Sequence, residues 1–181
     1  SPSRRYARPV STLSARTAWE LETLLSQLSA AKSAGLHAAG FIAYEAGFAL
    51  EAKLAGKLED RELPTPLAWF GLFDGYDEID AKTLPSLLPD PAGAWIGRLQ
   101  PKVARGDYDA AFDAVERYIT DGDIYQANLT FRAGAPYAGN PLALYATIRP
   151  RAAAGYGGVI WTGEQWFLSF SPELFFALKD G

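Results

Sequence analysis

The chain has 181 residues, of which 49% are hydrophobic, 13% aromatic and 21% charged, with a formal net charge of -4. That length suits one domain, or one and a part, and that balance excludes disorder, while a pI near 5.0 leaves no basic footprint for nucleic acid. With no cysteine and a single histidine, His37, the chain has no disulfide, thiolate zinc site, cysteine nucleophile or His-based triad, so a metal would need oxygen ligands.

No stretch approaches the ~18 consecutive apolar residues of a membrane span, and no h-region marks a signal peptide, so a cytoplasmic location fits. Residues 1–16 are basic and irregular, a solvated lead-in. Thr17-Ala-Trp-Glu20 matches a capping box, and Leu21, Leu24, Leu25 and Leu28 recur at helical spacing before Gly35 supplies the stop. His37 falls in the exit loop. Gly40–Gly47 reads as a mostly buried strand ending at Glu45 and a glycine turn, followed by a short helix over Phe48–Leu54. Leu67–Phe73 reads as a second apolar strand. The Pro-rich segment 76–93 is a connector with a short helical stretch near Ala81–Leu88, and it divides the chain into segments 1–93 and 94–181.

Asp107 is positioned to cap a second helix with apolar residues Ala111, Phe112, Val115, Tyr118 and Ile119 on one face, ended by Gly122. Asp123–Arg132 then alternates with period two. Tyr125, Ala127, Leu129 and Phe131 share one face, and Ile124, Gln126, Asn128, Thr130 and Arg132 share the other, which predicts a strand with one face in water or in a polar site. Asn140-Pro141 starts a helix that should stop before Pro150. Arg151–Gly158 reads as a loop. Val159–Thr162 and Gln165–Phe170 form a hairpin around Gly163-Glu164. Pro172 kinks the next apolar run, Leu174–Leu178 reads as a strand, and Asp180-Gly181 is a turn signal with no returning strand. An unpaired edge there predicts self-association. Strands adjoining strands make the fold class α+β, a largely antiparallel sheet sandwich with flanking helices.

Gly122-Asp-Ile-Tyr-Gln-Ala-Asn-Leu-Thr130 followed by Ser169-Phe-Ser-Pro-Glu-Leu-Phe175 resembles the chorismate-utilising enzymes. Within them it is most similar to the aminodeoxychorismate synthase component I branch. Phe41-Ile-Ala-Tyr-Glu-Ala-Gly47 and Trp69-Phe-Gly71 also resemble the N-terminal part of that branch. The likeness runs from about Ala38 onward. The anthranilate synthase component I branch shares Gly-Asp-Ile and Ser-Pro-Glu but usually has two apolar residues in place of Ala127-Asn128 and a Ser in place of Thr130.

The resemblance implies an enzyme that converts chorismate and ammonia to 4-amino-4-deoxychorismate in para-aminobenzoate and folate biosynthesis. It implies Mg²⁺ as cofactor, with ligands beyond residue 181 and none within this chain. Implied partners are chorismate, a glutaminase subunit that supplies ammonia and, in some members, a fused aminodeoxychorismate lyase domain. Glu173 matches the family's general acid, and apolar Leu174, Phe175 and Phe176 would raise its pKa if it were buried. Tyr125, Asn128, Tyr156 and Ser171 are candidate substrate or ligand-pocket residues. The family's covalent lysine sits in a Pro-Ile-Lys-Gly-Thr motif that this chain lacks, and Lys179 is no substitute for it, so the chain by itself is expected to be inactive. A tryptophan pocket known in some relatives matches only at Tyr156, so a packed, ligand-free pocket is expected. The competing readings are anthranilate synthase component I and a non-catalytic amino-acid-binding or partner-docking module.

Overall fold

The computed structural model describes residues 2–59 and 63–178. In chain order the strands are β1 (Ser3–Arg5), β2 (Ser11–Ala15), β3 (His37–Ile42), β4 (Ala68–Phe73), β5 (Asp77–Ile79), β6 (Ala94–Ile96), β7 (Gln100–Pro101), β8 (Ala133–Gly134), β9 (Tyr137–Gly139), β10 (Tyr156–Trp161) and β11 (Trp166–Ser171). The α-helices are α1 (Ala18–Ser33), α2 (Ala46–Leu50), α3 (Gly56–Glu59), α4 (Arg105–Asp121) and α5 (Pro141–Ala152). All strand pairings among the described residues are antiparallel. The α+β class read from the sequence therefore holds.

Contacts group the chain into two units, residues 1–88 with 155–181, and residues 89–154. These do not coincide with the consecutive segments 1–93 and 94–181, because the β10–β11 hairpin returns to the first sheet. Phe167 packs against Phe41 with tilted rings, centroids 4.5 Å apart, and Gln165 Nε2 donates to the Pro64 carbonyl at 3.1 Å.

The core of the first unit follows from α1 and the sheet β2-β4-β3. Thr17 Oγ1 accepts from the Glu20 N–H at 3.2 Å, and the Glu20 carboxylate accepts from the Thr17 N–H at 3.0 Å and the Arg16 N–H at 2.7 Å. This is the expected capping box. At the other end Gly35 takes φ +81°, and the Gly35 and Leu36 N–H groups close on the carbonyls of Lys32 and Ala31, a Schellman ending. The helix so delimited turns Leu21 and Leu24 into a cluster with Ala15, Ala46, Leu67 and Ala68, all buried. β4 is the central strand, flanked by β2 and β3, which is why its sequence is apolar throughout. Gly40 lies opposite Phe70, and a side chain there would overlap the Trp69 carbonyl. The hairpin turn at Gly163-Glu164 has the expected glycine geometry, φ +99°, with the Thr162 N–H donating to the Gln165 carbonyl. Trp161 and Trp166 stack across its first pair at 5.0 Å.

In the second unit Asn140 Oδ1 accepts from the Leu142 N–H at 2.9 Å, with Pro141 opening α5 as expected. The described residues of this unit bury only Ala143 and Tyr145, and α4 has no buried side chain.

Several expectations are corrected. Residues 124–132 form no strand, because no other strand pairs with them, and period-two alternation supplies a face but not a ladder. Residues 174–178 form none either, since β11 stops at Ser171, immediately before Pro172. His37 begins β3 opposite Phe73 and meets the Tyr76 ring edge-on at 5.1 Å; β3 starts earlier than Gly40, and its side chains are half-buried or exposed. Asp107 is not the cap of α4: the helix starts two residues earlier, after Ala104, and no side chain caps it. α5 runs through Pro150 to Ala152, since a proline this near the end forfeits little, and Tyr156–Gly158 belong to β10 instead of a loop. Lys179 and the Asp180-Gly181 turn lie outside the described residues.

Candidate active site

Three of the five sequence-predicted site residues come together at the open end of the β10–β11 hairpin. Tyr156 stands opposite Ser171 in the ladder, with Tyr156 50% exposed. Beyond Ser171 the strand ends at Pro172, and the Ser171 hydroxyl holds the exit turn. It donates to the Glu173 carbonyl at 2.8 Å and lies 3.4 Å from the Glu173 N–H, which it accepts. This is the local side-chain-to-backbone bonding by which Ser stabilises a turn. Ser171, Glu173, Leu174 and Phe175 line an open concavity of about 380 Å³, at the low end of small-molecule pockets.

Glu173 itself is exposed, and its apolar neighbours do not enclose it: Phe175 is 94% exposed and Phe176 74%. The burial on which the sequence reading was conditional is therefore not supplied by these residues. The other two predicted residues lie in the second unit. Tyr125 is 93% exposed and Asn128 is exposed, both in the irregular segment after α4. The structure adds Leu174 and Phe175 as lining residues; an apolar run straddling a lone carboxylate is the signal that points to them.

Among the described residues no three carboxylate or histidine side chains converge. Glu173 offers one carboxylate at the concavity, and Mg²⁺ demands a near-octahedral set of oxygens. These residues by themselves do not make a Mg²⁺ site. No described helix is long and apolar enough to cross a membrane.

This fold and the residues at the hairpin's end define a class. The chain belongs to the chorismate binding enzyme family, whose profile matches residues 5–181. The structure superposes on anthranilate synthase component I from Streptococcus pneumoniae TIGR4 with a TM-score of 0.69 and 18% identity, over 99% of this chain and 52% of that one. That likeness shows the fold to be the chorismate-utilising one. Among curated relatives, aminodeoxychorismate synthase component 1 of Klebsiella aerogenes is 32% identical over 79 residues, 44% of this chain and 18% of the relative. Anthranilate synthase component 1 of Thermus thermophilus is 34% identical over 90 residues, 50% of this chain and 19% of the relative. The chain thus aligns with about a fifth of the length of each of these curated relatives.

Proposed function

We propose that this chain is the N-terminal portion of an aminodeoxychorismate synthase component I, which converts chorismate and ammonia to 4-amino-4-deoxychorismate for para-aminobenzoate and folate synthesis. The observation that supports the branch is the pair Asn128 and Thr130, within the Gly122–Thr130 motif that resembles it. The second reading is anthranilate synthase component I, favoured by the similarity to the Thermus thermophilus relative.

Glu173 is the general acid in this reading. Its carboxylic acid gives a proton to the departing 4-hydroxyl oxygen of chorismate as the C4–O bond breaks and water leaves; in the net exchange ammonia forms the C4–N bond, and the proton shed by the resulting ammonium group restores the carboxylic acid. Ser171 is a positioning residue: its hydroxyl holds the turn that sets where the Glu173 carboxyl projects. Tyr156, opposite Ser171 in the ladder, is the candidate substrate contact from the neighbouring strand in this reading. A Mg²⁺ ion, which the described residues do not hold by themselves, would supply charge neutralisation at the substrate in the complete enzyme. A glutaminase subunit is the proposed source of ammonia.

The test uses the protein at its full natural length with chorismate, ammonium and Mg²⁺, and identifies the product chromatographically. 4-Amino-4-deoxychorismate supports the reading, and anthranilate would assign the chain to the other branch. Glu173→Gln should lower kcat by about 10²–10⁴-fold; an unchanged kcat removes Glu173 from the reaction. Purified 181-residue chain should form no product, and measurable turnover by it would refute the view that it lacks essential catalytic groups.

A further inference from the structure

The β10–β11 hairpin pairs with no other strand among the described residues, so side-chain packing must fix how it sits on the first sheet. Its register sorts the side chains onto two faces. Ile160 stands opposite Phe167, Gly158 opposite Ser169 and Tyr156 opposite Ser171, and alternation along each strand puts these six residues on one face. The stacked Trp161–Trp166 pair belongs to the other.

The face that carries Tyr156 and Ser171 is also the one that meets β3. Phe167 lies against Phe41 with ring centroids 4.5 Å apart, and both residues are half-buried. Phe41 is a fixed point. It stands opposite Trp69 in the β3–β4 ladder, and next to it Gly40 lets the two backbones approach so closely that a side chain there would overlap the Trp69 carbonyl. The next pair along the hairpin face, Gly158 and Ser169, is small, and a methyl group on Gly158 would meet nothing within 4 Å. On this face the ring contact therefore has no bulky neighbour behind it until Tyr156 and Ser171, about 13 Å further toward the open end. The Gln165–Pro64 tether at the turn is a single exposed hydrogen bond, weaker than a packed aromatic pair.

From this geometry we infer that Phe41 is a positioning residue for the proposed reaction. Its ring, through Phe167, sets how the hairpin face bearing Tyr156 and Ser171 is turned, and so where Glu173, two residues beyond Ser171, projects; this rests on the assignment of Glu173 as the general acid. The hairpin is a lever. A tilt of about 5° at Phe167 moves a point about 13 Å away by about 1 Å. A proton donor must lie within hydrogen-bond reach of the oxygen it protonates, and a misplacement of about 1 Å is enough to cost a large factor in rate. Phe41 acts on Glu173 through the hairpin, not on the substrate, which gives the Phe41–Gly47 stretch of family likeness a part in the site.

The test uses the protein at its full natural length with chorismate, ammonium and Mg²⁺, and measures kcat for whichever product forms. Each variant is made in two backgrounds, native and Glu173→Gln. Phe41→Leu keeps apolar bulk and removes the ring. It should lower kcat about tenfold in the native background and less than about twofold in Glu173→Gln, where no acid is left to place. Phe167→Leu should give the same loss, and the double variant no further loss, because the two rings form one contact. Phe41→Tyr keeps the ring and should retain kcat within about twofold. An unchanged circular dichroism spectrum checks that each variant keeps the fold. An equal loss in both backgrounds would mean that Phe41 only supports the fold. Losses that multiply in the double variant would mean that the ring contact does not carry the effect, and an unchanged kcat in Phe41→Leu would remove Phe41 from the site. Each of these overturns the proposal and leaves Glu173 as the acid. An unchanged kcat in Glu173→Gln strikes the acid itself, and the positioning role falls with it.

Discussion

The two stretches proposed to carry the chemistry are among the least packed parts of this molecule. Residues 122–130 and 172–175 expose most of their side chains and add no strand, whereas α1 and the sheet β2-β4-β3, which hold no proposed catalytic group, supply most of the buried side chains. The difference teaches that stability and chemistry are carried here by separate residues. The scaffold is closed by its own helix and strands. The motif segments keep their polar groups open to whatever completes them.

That contrast can be broken or sharpened by substitution. The largest effect is expected in the scaffold. Leu24→Ala removes a fully buried side chain from the helix–sheet seam and should cost about 2–5 kcal/mol in denaturant unfolding. A loss comparable to that of a surface variant would show the core to lie elsewhere. Gly40→Ala forces a methyl group onto the Trp69 carbonyl across the ladder, and about 1–3 kcal/mol should be lost, read from the same transition.

Smaller effects belong to the helix end. Thr17→Ala should cost about 1 kcal/mol. Its partner makes the cap pH-dependent. The Arg16 N–H, then the Thr17 N–H, hold the Glu20 carboxyl below its ordinary value. A carboxyl whose folded pKa is depressed stabilises the fold above its unfolded pKa, about 4.3, and that contribution fades as pH falls through the lower folded value. The thermal midpoints of wild type and Glu20→Gln should therefore converge on acidification below pH ~4. A gap that persists at pH 2 would mean that packing, not the charged cap, separates them. The smallest effect is expected in the motif: Glu173→Gln should change stability by less than about 0.5 kcal/mol, since the side chain is exposed. A large loss there would erase the division of labour.

What was legible in the sequence divides along the same line. The capping box at Thr17, the Gly35 ending, the Asn140-Pro141 start and the Gly163-Glu164 turn all appear as read, because each is decided by residues within a few positions of one another. β4 was legible from its unbroken apolar run, the mark of a central strand. Residues 124–132 and 174–178 were misread because a strand exists only with a ladder partner, and no local pattern states where that partner is. The same holds for the site. The candidates Tyr156, Ser171 and Glu173 came from the resemblance to the family's motifs, and the structure brings them to one hairpin end. Whether Glu173 is enclosed was left open by the sequence, because desolvation depends on groups distant in sequence.

The most direct test of the division between a closed scaffold and open motif segments is amide hydrogen exchange of the dilute chain, resolved by residue. The account predicts the slowest exchange in β4 and the middle of α1, with residues 125–131 and 174–178 exchanging close to the rate of an unfolded chain. Protection in those two segments equal to that of β4, at a concentration where the chain is monomeric, would contradict it.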